Sequence, residues 1–430
     1  MLQIQKNLSR PFYAIVSLPS TAMGFALSIQ ISALSWLLTT KYNLDIHEVG
    51  IVWAAGPLAG IFGQVIIGFI SDKVWFWGGR RRPFILIGGV LAASMLLALP
   101  NIDSIRSFFG IESLLGVAIV VALTLDLAIN ISFNPTRSVI ADVTPEGNPR
   151  TKGYTWMQTI SGFFGVLAYV IGALFGNYVL IYLGVFIVLL FSIIPVFLIT
   201  EKRALTESEI TPLEGAAQKV ESTTNWGQLI RLYTAHALSW IGVQTMFVYI
   251  IAYIQQKFVS DPNGSALFSG QVIAVAFAVL NTVGFVLPGF VLEPIAEKTG
   301  RVRTHLTCVA IMAIGYFLIA FFGNAPFVLY ALMAIVGVGW GSIVSLPFAI
   351  MSENVQKSRM GFFMGIFNLS VVLPQLFVSI GLGMIIQHAA NKNIIFIISG
   401  TAVALSALFW SFVKEEKRDR ISAILTEGAH

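Results

Sequence analysis

Twelve apolar stretches, each long enough to cross a hydrocarbon layer about 30 Å thick, dominate this 430-residue chain. They run approximately over residues 12–38, 47–70, 84–100, 114–141, 154–176, 178–199, 226–256, 268–292, 304–322, 326–351, 361–386 and 393–413. Lipid offers no partner to a backbone N–H or C=O, so segments of this kind cross as helices whose hydrogen bonds close internally. Composition agrees, because only 11% of residues are charged and 56% are hydrophobic, where a soluble chain carries charge on about a quarter. Disordered, collagen-like and disulfide-framework classes are excluded. Cys308 is the single cysteine and lies in an apolar run, where a small buried hydrophobe is expected. The first stretch follows Lys6 and Arg10, exceeds a signal-peptide core and has no small-residue cleavage site after it, so it reads as a retained span.

Lysine and arginine in the connections set the expected orientation, since positively charged loops stay in the cytoplasm. With the N terminus inside, the inner connections and termini hold 21 of these residues, and the outer ones hold Lys41, Arg106, Lys257 and Lys392. Arg137, inside a span, completes the 26. An even number of spans with both termini cytoplasmic follows, in the inner membrane of a cell. Topology thereby accounts for the net charge of +5, and no nucleic-acid partner is implied.

The longest polar connection, 200–225, divides the spans into two sets of six. The expected organisation is an N-terminal bundle over 1–199, a cytoplasmic loop over 200–225, a C-terminal bundle over 226–413 and a tail over 414–430. An internal echo supports the division: GFISDKVWFWGGRRR follows the second stretch and GFVLEPIAEKTGRVR the eighth. The fold class is therefore an all-α membrane protein of twelve transmembrane helices in two six-helix bundles, the arrangement of the major facilitator fold, whose substrates bind near the midplane between the halves.

Within GPLAGIFGQVIIGFISDKVWFWGGRRRPFI, residues 56–85, Gly56, Pro57, Gly60, Gln64, Gly68, Ser71, Asp72, Gly79 and the Arg80–Phe84 run resemble the glycoside-pentoside-hexuronide cation symporter group, in particular its sucrose and maltose branch. LDLAINISFNPTRSVIADV over 125–143 is similar to the span-four element of that branch, and SLPFAIM with GFFMGIFNLSVVLPQ resembles two of its later elements. The resemblance implies proton-driven uptake of a disaccharide or related glucoside. Two departures bear on the sugar. Ser28 stands where plant-type sucrose carriers place an amide, and the seventh span reads MFVYIIAYIQQ where they carry an acidic pair, so maltose or short malto-oligosaccharides are equal candidates.

The residues support a coupling site independently. Asp126 is the one acid well inside a span, about 18 Å along the fourth helix and so near the membrane centre. A carboxyl at that depth is costly unless it has a use, and a low dielectric favours its neutral form, which suits it to load and release a proton. Asn130, Asn134 and Arg137 follow at i+4, i+8 and i+11 on the same helical face and extend a polar stripe expected to line a wet cavity. Arg137 lies about 16 Å further along the axis, beyond direct pairing with Asp126, and is left to hold substrate hydroxyls, to link to Asp142 or to gate the inner interface.

Sugars present hydroxyl edges and flat C–H faces, so amides and aromatics inside spans are the binding candidates: Gln64, Gln158, Gln244, Asn281, Asn368 and Gln375, with Trp53, Trp240 and Tyr249 as platforms. Trp156 and Trp340 are further possible platforms, and half of such a set is expected to act as interhelical glue instead. Ser17, Thr21, Gly24, Ser28, Ser32 and Ser35 form a small-residue face on the first span, read as close helix packing. Asp72 with Arg80, Arg81 and Arg82, and their echo in Glu297 and Arg301, are expected to clamp helix ends and gate. The five histidines read as span-end, loop or tail residues without metal spacing, and no catalytic constellation appears, so the chain is expected to be no enzyme and to need no cofactor other than the coupling proton. A sodium-coupled symporter and a facilitator exporting another small molecule remain alternatives. A monomer is expected by analogy with other facilitators.

Overall fold

The computed structural model describes residues 3–60, 74–145, 148–201, 226–259, 265–353 and 360–414. The principal helices are α1 (Arg10–Thr40), α2 (Ile46–Trp53), α3 (Arg82–Ala98), α4 (Leu114–Val143), α5 (Asn148–Phe175), α6 (Asn177–Leu198), α7 (Trp226–Phe258), α8 (Ser265–Leu287), α9 (Arg301–Phe322), α10 (Pro326–Ile343), α11 (Met360–Phe377) and α12 (Ile394–Trp410). Ten helical segments among the described residues are long and apolar enough to cross a membrane, and α12 is a shorter apolar helix. The second expected span opens as α2, is helical again over 55–60 and then leaves the described residues.

Several boundaries differ from the hydropathy reading. The third span runs on through a 3-10 turn (Leu99–Asn101) into Ile102–Phe109, whose Asp103 and Arg106 make it amphipathic rather than apolar. The tenth stretch divides after Ile343 into α10 and a separate helix, Leu346–Glu353; Pro347 has no N–H to continue the ladder. α8 passes at Pro288 into a π-helical turn, Pro288–Leu292, and α11 continues through a π turn at Val378–Leu382 into Gly383–His388. A π turn widens the backbone ring by one residue and is uncommon away from functional positions.

Helix pairings of the first six spans recur six spans later. α1 packs on α5 and α6 as α7 packs on α11 and α12, and α3 packs on α4 and α6 as α9 packs on α10 and α12. The turns before α3 and α9 repeat too, with Gly78 at φ 72° and Gly300 at φ 94°, left-handed values that favour glycine. Across the two bundles, α5 lies on α8, and α2 lies on the π turn of α11 and on Gly383–His388. The small residues of α1 serve packing: Thr21 meets Ser161 of α5 at 3.2 Å, and Ser32 meets Asn177 of α6 at 3.3 Å.

A buried carboxyl beside the seam between the bundles

Asp126 points into protein from the middle of α4 and is 6% exposed. Gln30 of α1, 3% exposed, donates its Nε2–H to the Oδ2 of Asp126 at 3.0 Å. Glycine at position 56 leaves the remaining room, since a Cβ there would stand 3.3 Å from Oδ2. One turn further along α4, Asn130 donates its side-chain amide to the Asp126 main-chain carbonyl at 2.8 Å. Among the described residues no cation pairs with this carboxyl, and Gln30 is its one side-chain partner. Gln30 escaped the sequence reading because attention on α1 fell on its serine and glycine face; an amide in an otherwise apolar span was the available signal.

On the opposite side of α1, Ser28 donates to its own Gly24 carbonyl at 3.0 Å and faces Gly165 of α5, and Tyr169 of α5 packs on Phe277 of α8 in the other bundle with ring centroids 5.9 Å apart. Asn281 accepts from Trp340 Nε1 at 3.2 Å and donates to its own Phe277 carbonyl at 2.9 Å. Trp340 meets Trp240 edge to face with centroids 6.0 Å apart, and Phe247 at 5.2 Å. Trp240 in turn donates to Nε2 of His236 at 3.0 Å, and His236 stacks on Phe367 at 4.7 Å. His236 and His305 therefore correct the expectation of span-end histidines: both are buried in the C-terminal bundle, His305 against Ser342 at 2.6 Å. Hydroxyl and indole partners make such burial tolerable.

The face remote from the termini is closed by contacts between bundles, backed by contacts within each of them. Within the C-terminal bundle, Tyr249 of α7 donates to the Val378 and Ser379 carbonyls in the π turn, at 3.1 and 3.2 Å. Gly50 of α2 packs so closely on the Ser379 carbonyl that no Cβ fits. The main-chain N–H of His47 donates to Gln387 at 3.0 Å, and Ser35 of α1 to the Val248 carbonyl at 3.0 Å. Trp53 donates to Ser35 at 2.7 Å, and Gln244 to Ser379 at 3.4 Å. In this conformation Trp53, Gln244 and Tyr249 are thus engaged with other helices and are not presented to a ligand. The reason is positional: Asp45 and Glu48 form a reciprocal cap that starts α2 directly against α11.

At the face carrying the termini, the N-terminal bundle holds a charged cluster of its own. Asp142 accepts from Arg80 Nη2 at 3.0 Å and from Arg81 Nε at 3.2 Å. Glu201, just past α6, accepts the backbone N–H groups of Arg80, Arg81 and Arg82, each at 2.8 Å. Arg82 reaches back to the Gly78 carbonyl at 3.2 Å. Glu201 was not singled out in the sequence, where an acid after a span reads as ordinary loop. With Asp142 engaged by its two arginines, a link to Arg137 does not form; Arg137 is exposed, with its guanidinium 4.6 Å from the Phe133 ring centroid. Gln158 is exposed, Asn368 and Gln375 are half-buried, and a Cβ at Gly24 would meet open space. Gln64 and Asp72 lie outside the described residues, as do the side chains of Asn134 and Glu297; Arg301 opens α9 immediately after Gly300.

A family model described as Major Facilitator Superfamily matches residues 17–379 and 278–427. The chain is 25% identical to the sucrose transport protein SUC4 of Arabidopsis thaliana, over 82% of this chain and 80% of that one. It is 31% identical to a general alpha-glucoside permease of Schizosaccharomyces pombe, over 40% of this chain and 34% of that one. Among solved structures, a D-xylose-proton symporter superposes with a TM-score of 0.70 at 17% identity, covering 94% of this chain and 98% of the other.

Proposed function

This chain belongs to the Major Facilitator Superfamily, and from that premise we propose that it imports a maltose- or sucrose-type glucoside together with a proton. It is a multi-pass membrane transporter and not an enzyme. The observation that carries the coupling reading is Asp126, a carboxyl buried in a membrane helix with an amide partner and, among the described residues, no cation to neutralise it. Such a group exchanges a proton more readily than it holds a charge, and Na⁺ sites gather several oxygens, which favours the proton over sodium. The sugar reading draws on the relatives, a sucrose transport protein and an alpha-glucoside permease. It draws as well on the amide and aromatic groups gathered near the seam, Asn281, Trp340 and Trp240. Arg137, exposed and without a carboxylate partner among the described residues, is available for substrate hydroxyls.

Proton binding and sugar binding then act on one equilibrium between the two openings of the cavity, and each must strengthen the other. The seal formed by α2, Tyr249 and the π turn would have to part to admit sugar from the outside.

The test is uptake of labelled maltose and sucrose into proteoliposomes under an imposed pH or Na⁺ gradient, for the wild type and Asp126→Asn. Accumulation driven by the proton gradient alone is expected, together with complete loss of accumulation in the variant while sugar exchange at equal pH survives. Undiminished accumulation by D126N would overturn the coupling assignment, and movement of neither sugar would overturn the glucoside assignment.

A further inference from the structure

α1 holds two buried polar side chains that look in different directions. Ser28 and Gln30, 6% and 3% exposed, are two residues and thus about 200° apart around the helix. Gln30 faces α4 and the Asp126 carboxyl, whereas Ser28 faces α5, where a Cβ at Gly165 would stand 3.6 Å from its hydroxyl. One turn on, Tyr169 of α5 packs its ring on Phe277 of α8 in the other bundle, centroids 5.9 Å apart. α1 is therefore the element interposed between the carboxyl and the helix that contacts the other bundle.

The amide of Gln30 serves the two forms of Asp126 unequally. An ionised carboxyl only accepts, and the N–H of Gln30 satisfies one of its oxygens at 3.0 Å, a bond strengthened by the charge. A protonated carboxyl still accepts through its carbonyl oxygen but loses that strengthening, and its O–H calls for an acceptor that the ionised form did not need. At 3% exposure Gln30 has little water to take the place of a mismatched partner, and an unmatched buried polar pair is costly. The other groups around the carboxyl do not share this task. Gly56, in the helical stretch that follows α2, has no side chain, and Asn130 on α4 bonds the main-chain oxygen. Among the described residues no lysine, arginine, histidine or second acid pairs with Asp126.

We propose that Gln30 is the positioning residue that transmits the protonation state of Asp126 to α1 and, through the packing of α1 on α5, to the α5–α8 contact between the bundles. This rests on the reading of Asp126 as the coupling site. In it, Gln30 registers the proton, α1 carries the difference, and the α5–α8 contact, which must yield when the bundles part on that side, receives it.

The test is the pH profile of labelled maltose or sucrose exchange in proteoliposomes at equal pH on both sides, measured for wild type, Gln30→Met, Gln30→Ala and D126N. Methionine keeps the length and apolar body of the side chain but can neither donate to the carboxyl nor accept from it as an amide does. Loss of the N–H removes a bond that favours the ionised form, so the alkaline limb of exchange is expected to move upward by about one pH unit. Gradient-driven accumulation is expected to fall several-fold relative to exchange in both Gln30 variants. A side chain that served only to pack α1 would lower activity without moving the limb. Superimposable alkaline limbs for wild type and whichever Gln30 variant inserts and exchanges would overturn the proposal while leaving the coupling reading intact if D126N is uncoupled. Undiminished accumulation by D126N would remove the premise itself, and the two failures are thereby told apart.

Discussion

Glu201 illustrates how much one side chain can organise in a loop otherwise read as charge. It is 6% exposed and receives three successive backbone N–H groups at the start of α3, donors that no helix can satisfy within itself. Glu201→Ala leaves those donors without their acceptor, and a loss of about 1–3 kcal/mol is expected. Thermal unfolding of the detergent-solubilised protein would register it as a lowered midpoint, with Glu201→Gln intermediate. Tyr42 plays a comparable part at the far face, donating to the Leu99 carbonyl at 2.7 Å and accepting from Ile102 N–H at 3.0 Å. Burial pushes its hydroxyl well above the ordinary tyrosine value, so that link does not titrate near neutral pH. Asp126 was legible because an acid in an apolar span has no cheap explanation. Gln30 and Glu201 were not, since an amide in a membrane helix or an acid after one has an ordinary use, and only the partner reveals the role.

At the level of elements, the seal pairs a glycine-bearing helix with a widened backbone turn. Gly50 lies against the Ser379 carbonyl, and Tyr249 draws two carbonyls of the π turn toward itself. Gly50→Ala places a methyl group where the carbonyl stands, and the bundles are expected to separate more readily on that face. Thiol labelling of Gln387→Cys from outside would rise several-fold in G50A; Cys308, buried in the C-terminal bundle, contributes little background. An unchanged labelling rate would show that the seal does not depend on this contact. Hydropathy located the helices but not the π turns, because a shift from α to π bonding leaves the apolar pattern unaltered. Pro347 carried a signal for the break after α10, which the hydropathy reading passed over by running 326–351 as one stretch.

For the molecule as a whole, the twelve apolar stretches were enough to read the fold, and the recurrence of helix pairings gives the internal echo its structural meaning. The cavity was less legible. Residues chosen as sugar contacts by type alone divide between the closed face, the seam and the exposed interior side, a division set by packing between bundles that no single helix encodes. Orientation is open to direct test: an impermeant thiol reagent applied to intact cells is expected to label Lys41→Cys and Lys392→Cys but not Lys414→Cys. The reverse pattern would invert the topology drawn from the 21 cations assigned to the inner side.

Among the described residues, the contacts that form the seal are made by backbone carbonyls, hydroxyls, amides and glycine, with no carboxylate, ammonium or guanidinium. Breaking those contacts separates no full charges, whereas a membrane potential acts on each unit charge by about 2.3 kcal/mol per 100 mV. Voltage has no charged pair to act on in these contacts, and an electrical response of transport is expected to originate with the titrating groups, Asp126 foremost among them.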